Sequence, residues 1–305
     1  MEISGILLID KPAGMTSHDV VAAVRQTLGI KQVGHFGTLD PFATGVLPLS
    51  LGKATRFAQF YLKSRKAYEG TIRFGFSTDT YDATGRPACE PIPVHLEHAA
   101  LERVFRDFTG CVMQTPPSYS AKRIGGVRAY KLARAQKPAE LSHVRVEIYA
   151  LQLLALEGDD VHFAVECAGG TYVRALAHDI GQRIGCPAHL ASLRRTNVAE
   201  FREGQALSLE KLKQVTEAGN VANAIIPMEA LLPDCPELVV RKREERGVRH
   251  GQAFELAQML RPERGSRSDQ LPPMTLLKIM NPDRRLIAIA RHVQGAVYHP
   301  DVVLV

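Results

Sequence analysis

The chain has 305 residues, 45% hydrophobic and 23% charged, and Lys plus Arg exceed Asp plus Glu by 38 − 32 = 6. That size and balance fit one large or two unequal globular domains and exclude a helical membrane protein, since no apolar run nears the ~20 residues a bilayer requires. The positive excess favours a polyanionic partner.

The opening MEISGILLIDKP lacks a basic region, and its apolar run is too short for a signal peptide, so a cytoplasmic protein is expected. GILLID reads as a buried strand, and Pro12 and Gly14 as a turn. A helix is expected next, with Ser17 as its N-cap, Val20, Val21, Val24 and Leu28 on one face and Gly29 as its stop. YEGTIRFGF, VRVEIYALQLL and VHFAVEC read as strands, and LEHAALERVFRDFTG as an amphipathic helix closed by Gly110. GGTYVRALAHDIGQRIG is the clearest helix, with Thr171 as its cap and Gly185 as its end. After about residue 235, TLLKIM, RLIAIARHV and AVYHPDVVLV predict a small all-β domain, interrupted by an exposed loop, RPERGSRSDQLPP, at 261–273.

Cys89, Cys111, Cys167, Cys186 and Cys235 are odd in number and scattered without a C-x-x-C, so neither a disulfide framework nor a zinc site is signalled. His95 and His98 lack a third ligand and read as surface residues. No G-x-G-x-x-G follows the first strand, and there is no P-loop. Basic residues gather in KSRKAY, SAKRIGGVRAYKLAR, LRRT and RKREERGVRH; interleaved tyrosines add flat surfaces for bases to cations for phosphates.

The stretch GHFGTLDPFATGVL, 34–47, holds one acid, Asp40, directly before a proline and among three glycines. Pro41 disfavours helix at Asp40 and the glycines permit unusual backbone shapes, so a rigid loop aiming one carboxylate is expected. Taken alone, an Asp-Pro pair reads first as a turn whose carboxylate bonds nearby amides; His35, Thr38 and Thr44 between apolar runs weigh toward a site.

These residues, together with DKPAGMTS, KAYEGTIRFG, PPSYSAKRIGGVRAYKLAR, GGTYVRALAHDIG and SLRRTNVAEF in that order, closely resemble the bacterial tRNA pseudouridine synthases of the TruB type. The resemblance implies an α+β pseudouridine synthase fold, with a central, mainly antiparallel mixed sheet flanked by helices. It implies a catalytic domain over 1–234, with an RNA-gripping insertion at about 117–142, and a PUA-like RNA-binding β-barrel over 235–305.

It further implies isomerisation of a uridine in the T arm of tRNA by a monomer that uses no metal or cofactor. Asp40 matches the catalytic aspartate, acting as a nucleophile at C1′ or by way of a glycal. Arg174 matches the arginine whose charge would hold the Asp40 pKa down. Tyr68 matches the tyrosine that stacks on the base and assists proton removal from C5. His35, Tyr172 and Leu193 match the uridine pocket, and Lys122, Arg123, Arg128, Arg194 and Arg195 are the expected RNA contacts. Phe36 stands where the pattern has a small residue, so a different loop shape is expected. Two other functions compete: a tRNA-binding folding helper, and a guide-RNA-dependent pseudouridylase with the same core motifs.

Overall fold

Strand β1 (Gly5–Lys11) is the expected apolar run, with Ile6, Leu7 and Ile9 fully buried. Helix α1 (Ser17–Leu28) follows, burying Val20, Val21 and Val24 from one face. Its cap is Thr16, not Ser17. The Thr16 hydroxyl accepts from the Asp19 amide and the Asp19 carboxylate accepts from the Thr16 amide, satisfying two donors reciprocally. Ser17 turns inward instead, accepting from the Leu39 amide at 2.9 Å and donating to its carbonyl at 3.2 Å. This computed structural model describes residues 3–120, 123–124, 126–128, 142–259 and 275–304.

The chain continues through β2 (Val33–His35), β3 (Thr44–Leu51), the one-turn α2 (Ala58–Tyr61), β4 (Lys66–Phe74), α3 (His98–Asp107) and β5 (Gly110–Gln114). A short hairpin, β6 (Arg123–Ile124) and β7 (Val127–Arg128), precedes the long pair β8 (Val144–Glu157) and β9 (Asp160–Cys167). Then come α4 (Val173–Ile184), β10 (Ala188–Val198), β11 (Phe201–Arg202), α5 (Leu209–Glu217) and β12 (Ile225–Ile226).

The main sheet runs β12-β1-β3-β10-β4-β9-β8-β5, with β2 on β3 and β11 on β10. Among its described ladders β3–β10 alone is parallel, so the sheet is mixed but mainly antiparallel. Helices α3 and α4 cover β4, β9 and β10 through Ile72, Phe74, Leu101, Phe105, Phe163 and Leu176. Helices α1 and α5 join β1 and β3 through Leu7, Val20, Leu47 and Leu212.

At the parallel junction Arg195 pairs with Gly45. Gly45 has φ +104°, and a Cβ there would lie 2.2 Å from the Arg195 carbonyl oxygen, so only glycine lets the two backbones approach this closely.

The C-terminal part holds β13 (Glu237–Val239), α6 (Lys242–Arg249), β14 (Phe254–Glu255), α7 (Leu256–Met259), β15 (Leu276–Met280), β16 (Leu286–Gln294) and β17 (Val297–Val303), with sheet order β13-β15-β16-β17-β14. It is not all-β: RKREERGVRH supplies α6, built from strong helix formers. The Glu244 carboxylate accepts from the Arg241 amide at 2.9 Å, and Arg249 pairs with Glu245 one turn earlier at 2.7 Å. Met280, Leu286, Ile289, Val302 and Leu304 share one hydrophobic cluster with Phe36, Tyr61 and Phe201 of the main body. The 261–273 loop lies outside the described residues. Among the described residues no helix is long and apolar enough to cross a membrane.

Candidate active site

Asp40 sits between β2 and β3 on a segment pinned at both sides. Ser17 holds Leu39, while the Pro41 carbonyl accepts from the Gly14 amide at 2.8 Å and from Lys11 Nζ at 3.2 Å. Lys11 Nζ also donates to the Pro12 and Met15 carbonyls, tying the end of β1 to the Asp40 loop. The rigidity expected from Pro41 and the glycines is therefore reinforced by contacts from two other segments.

Opposite Asp40 stands Arg174, in the first turn of α4. The residue capping this helix is Tyr172 rather than Thr171, whose hydroxyl donates to the Ala168 carbonyl. The Gln114 amide docks the helix entry, accepting from Tyr172 N at 2.8 Å and donating to Tyr172 O at 3.0 Å.

Arg174 is 5% exposed. Nε donates to Asp40 Oδ2 at 2.9 Å and Nη2 to Asp40 Oδ1 at 3.1 Å, a bidentate pair. Nη2 also donates to the Tyr119 carbonyl at 2.9 Å, and Nη1 to the Thr80 carbonyl at 3.0 Å. A second acid, Asp82, places Oδ2 3.3 Å from Nη1. The guanidinium thus donates four hydrogen bonds, with Asp82 adding a charge contact at Nη1, and is fixed in orientation.

Asp82 was not among the expected site residues. Its signal is modest: TDTYDATG is a turn-rich run in which hydroxyls flank the acid.

Burial pushes the Asp40 carboxyl above its ordinary value; Arg174 opposes that rise and Asp82 adds to it. Arg174 thus acts to hold the Asp40 pKa down, and the net shift is upward because desolvation outweighs it.

A cleft of about 270 Å³ is lined by Asp40, Lys66, Tyr68, Tyr172, Arg174 and Leu193, with Tyr119 and Ser120 among its other walls. Tyr68 is 8% exposed, and burial raises its hydroxyl to about 12, with the Arg195 charge opposing. Lys66 Nζ donates to the Leu62 and Ser64 carbonyls, and burial lowers its pKa to about 8. Lys11 is likewise lowered to about 8, by burial first, with Asp40 opposing.

Other expected residues fall elsewhere. Arg195 has no exposed surface, and its Nε donates to the Val46 carbonyl at 2.9 Å; it is the cross-strand partner of Tyr68 and cannot be a surface RNA contact. Arg194 is half-exposed but paired with both Asp10 and Glu203. His35 is outside the cleft lining, edge-on to His18 at 5.7 Å. Arg123 and Arg128 occupy paired positions of the β6–β7 hairpin, and Lys122 lies outside the described residues. Phe36 is fully buried and stacks on Tyr61 at 4.5 Å, so its bulk points into the core and not toward Asp40. Among the described residues no group of three or more His, Cys, Asp or Glu could hold a metal ion.

A mixed sheet with an arginine-clamped aspartate beside a buried tyrosine defines a pseudouridine synthase fold. The fold agrees with a chain in "Crystal Structure of a Cbf5-Nop10-Gar1 Complex", at TM-score 0.72 and 28% identity over 96% of this chain and 79% of that one. In sequence, the profile for "TruB family pseudouridylate synthase (N terminal domain)" matches residues 25–173, and that for "tRNA pseudouridylate synthase B C-terminal domain" matches 174–233. The chain belongs to the TruB family of pseudouridylate synthases. Its relatives include "tRNA pseudouridine synthase B" of Solibacter usitatus, 44% identical over 99% of this chain and all of that protein. The protein of the same name in Geobacter sulfurreducens is 46% identical over 75% of this chain and 76% of that protein.

Proposed function

We propose that the chain isomerises uridine 55 in the T arm of tRNA to pseudouridine, with Asp40 as the nucleophile. One observation carries the reading: the carboxylate that Arg174 holds bidentately opens into the same cleft that Tyr68, Tyr172 and Leu193 line. The reaction is balanced within the substrate. The N1–C1′ bond breaks, a C5–C1′ bond forms, one proton leaves C5 and one is taken up at N1, with no oxidant or reductant.

Each residue then has a task. Asp40 must be ionised, and Arg174 keeps ionisation within reach despite burial. Tyr68 stacks on the detached uracil and assists proton removal from C5, with the Arg195 charge favouring its ionised form. Tyr172 and Leu193 enclose the base. A uridine stacked in a folded arm must be flipped out, at a cost of a few kcal/mol that cleft stacking and phosphate contacts offset. The insertion at about 117–142, with Lys122, Arg123 and Arg128, is assigned the grip on RNA. The domains divide near 234, the C-terminal sheet acts as a PUA-like RNA-binding module, and the enzyme works as a cytoplasmic monomer without metal or cofactor.

The test incubates the protein with unmodified tRNA transcript and maps pseudouridine, with Asp40→Asn as control. Wild type should modify the T arm. The variant should lose about 10³-fold in rate yet bind transcript within about tenfold, ~1.4 kcal/mol. Bare-transcript inactivity relieved by a guide RNA would replace this reading with the guide-dependent one. Activity in Asp40→Asn equal to wild type would remove Asp40 from the chemistry.

A further inference from the structure

Residues 80–82 and helix α4 hold each other at two points one helical turn apart. At the first, Arg174 reaches the Thr80 carbonyl and Asp82 Oδ2. At the second, the Tyr81 ring lies flat on the His178 imidazole, with centroids 4.0 Å apart and planes at 11°. Arg174 and His178 are four residues apart on α4 and project from one face, while 80–82 are consecutive, so neither contact can shift without the other.

Three observations show what the stack does. Tyr81 has φ +62°, a left-handed conformation that bulky residues rarely adopt, so something beyond its own backbone preference keeps it there. His178 Nδ1 is buried without a hydrogen-bond partner among the described residues, so the stack, rather than a hydrogen bond at Nδ1, orients that ring. Asp82 Oδ1 is occupied within its own loop by the Thr80 hydroxyl at 2.8 Å and by the Thr84 amide and hydroxyl at 3.0 and 2.6 Å. Only Oδ2 remains for Arg174. The loop is thus a stiff unit, bonded on one side to β10, where Leu190 donates to the Tyr81 carbonyl and accepts from the Ala83 amide, each at 3.0 Å, and joined to α4 by the stack and the Arg174 contacts.

We propose that Tyr81 and His178 are positioning residues whose stack registers the 80–82 segment on α4 and, through Asp82 and Arg174, fixes the aim of Asp40. The assignment rests on the function given above.

Its test is single-turnover isomerisation of unmodified transcript, with transcript affinity measured separately and the Asp40 titration followed by carboxyl NMR of the free protein. Tyr81→Phe, which keeps the stack, should stay within about twofold of the wild-type rate. Tyr81→Leu and His178→Leu should each slow turnover about tenfold at unchanged affinity, the double variant no further, as expected for a small misplacement of a reacting group. In both, the Asp40 titration should move to higher pH as Arg174 loosens. Wild-type rates in both leucine variants, an unmoved titration, or Tyr81→Phe as slow as Tyr81→Leu would each overturn the proposal. If one leucine variant does not fold, the other decides. A wild-type protein that makes no pseudouridine would sink the functional reading, while the NMR titration would still judge the positioning role.

Discussion

Asp40 and Arg174, 134 residues apart in the chain, meet through two N–H···O bonds at 2.9 and 3.1 Å, the parallel fork that a guanidinium and a carboxylate form together. A lysine ammonium cannot span both carboxylate oxygens and also serve the Thr80 and Tyr119 carbonyls. Arg174→Lys should therefore lower the single-turnover rate by about 10²-fold or more, although the charge is kept. A lysine variant within a few fold of wild type would show that charge alone suffices.

Asp82 acts on the same carboxylate from a distance. Its negative charge makes Asp40 harder to ionise, so a neutral side chain should make ionisation easier. Asp82→Asn should move the acid limb of the pH–rate profile toward lower pH. The plateau rate should fall as well, because Arg174 loses one of its anchors. An acid limb that moves upward instead would mean that Asp82 acts mainly by holding Arg174 in place.

Lys66 carries a stability signature. In the fold it releases its proton near pH 8, against 10.5 ordinarily, because burial penalises the ammonium. For a group depressed in this way, the stabilising contribution is present above about 10.5 and is lost as pH falls through about 8. Urea denaturation should show wild type gaining stability relative to Lys66→Met as pH rises from about 8 to 10.5. Parallel pH dependence in the two proteins would contradict the assignment.

Gly45→Ala tests the parallel junction of β3 and β10. The added methyl would meet Arg195 backbone at 2.2 Å in a conformation alanine resists. A loss of about 3 kcal/mol or more is expected in denaturant titration. A loss below about 1 kcal/mol would show that the two strands can separate cheaply.

What could be read from the chain was local. The loop around Asp40, the helix bearing Arg174 and the strands from Lys66 to Phe74 and from Val144 to Cys167 follow from turn residues and periodicity. Strand β10 escaped because two bulges, between Leu190 and Ser192 and between Arg195 and Asn197, break the alternation that marks a strand. Arg195 was misassigned to the surface because arginine is almost never fully buried unless paired, and its partners come from β3, β4 and the Asp40 loop. Asp82 was passed over because its importance depends on a contact with a helix far along the chain. Thr16 and Ser17 are adjacent hydroxyl residues, and only the inward bond to Leu39 decides which of them caps.

Phe36, four residues from Asp40, is rooted in the same apolar cluster that receives Met280, Leu286, Ile289, Val302 and Leu304. The C-terminal sheet is therefore part of the foundation under the Asp40 loop. Cutting the chain near 234 would strip one wall from that cluster and leave the Phe36 side of the loop unsupported. A truncated enzyme would accordingly be slower at chemistry as well as poorer at holding RNA, and no excess of substrate would restore it.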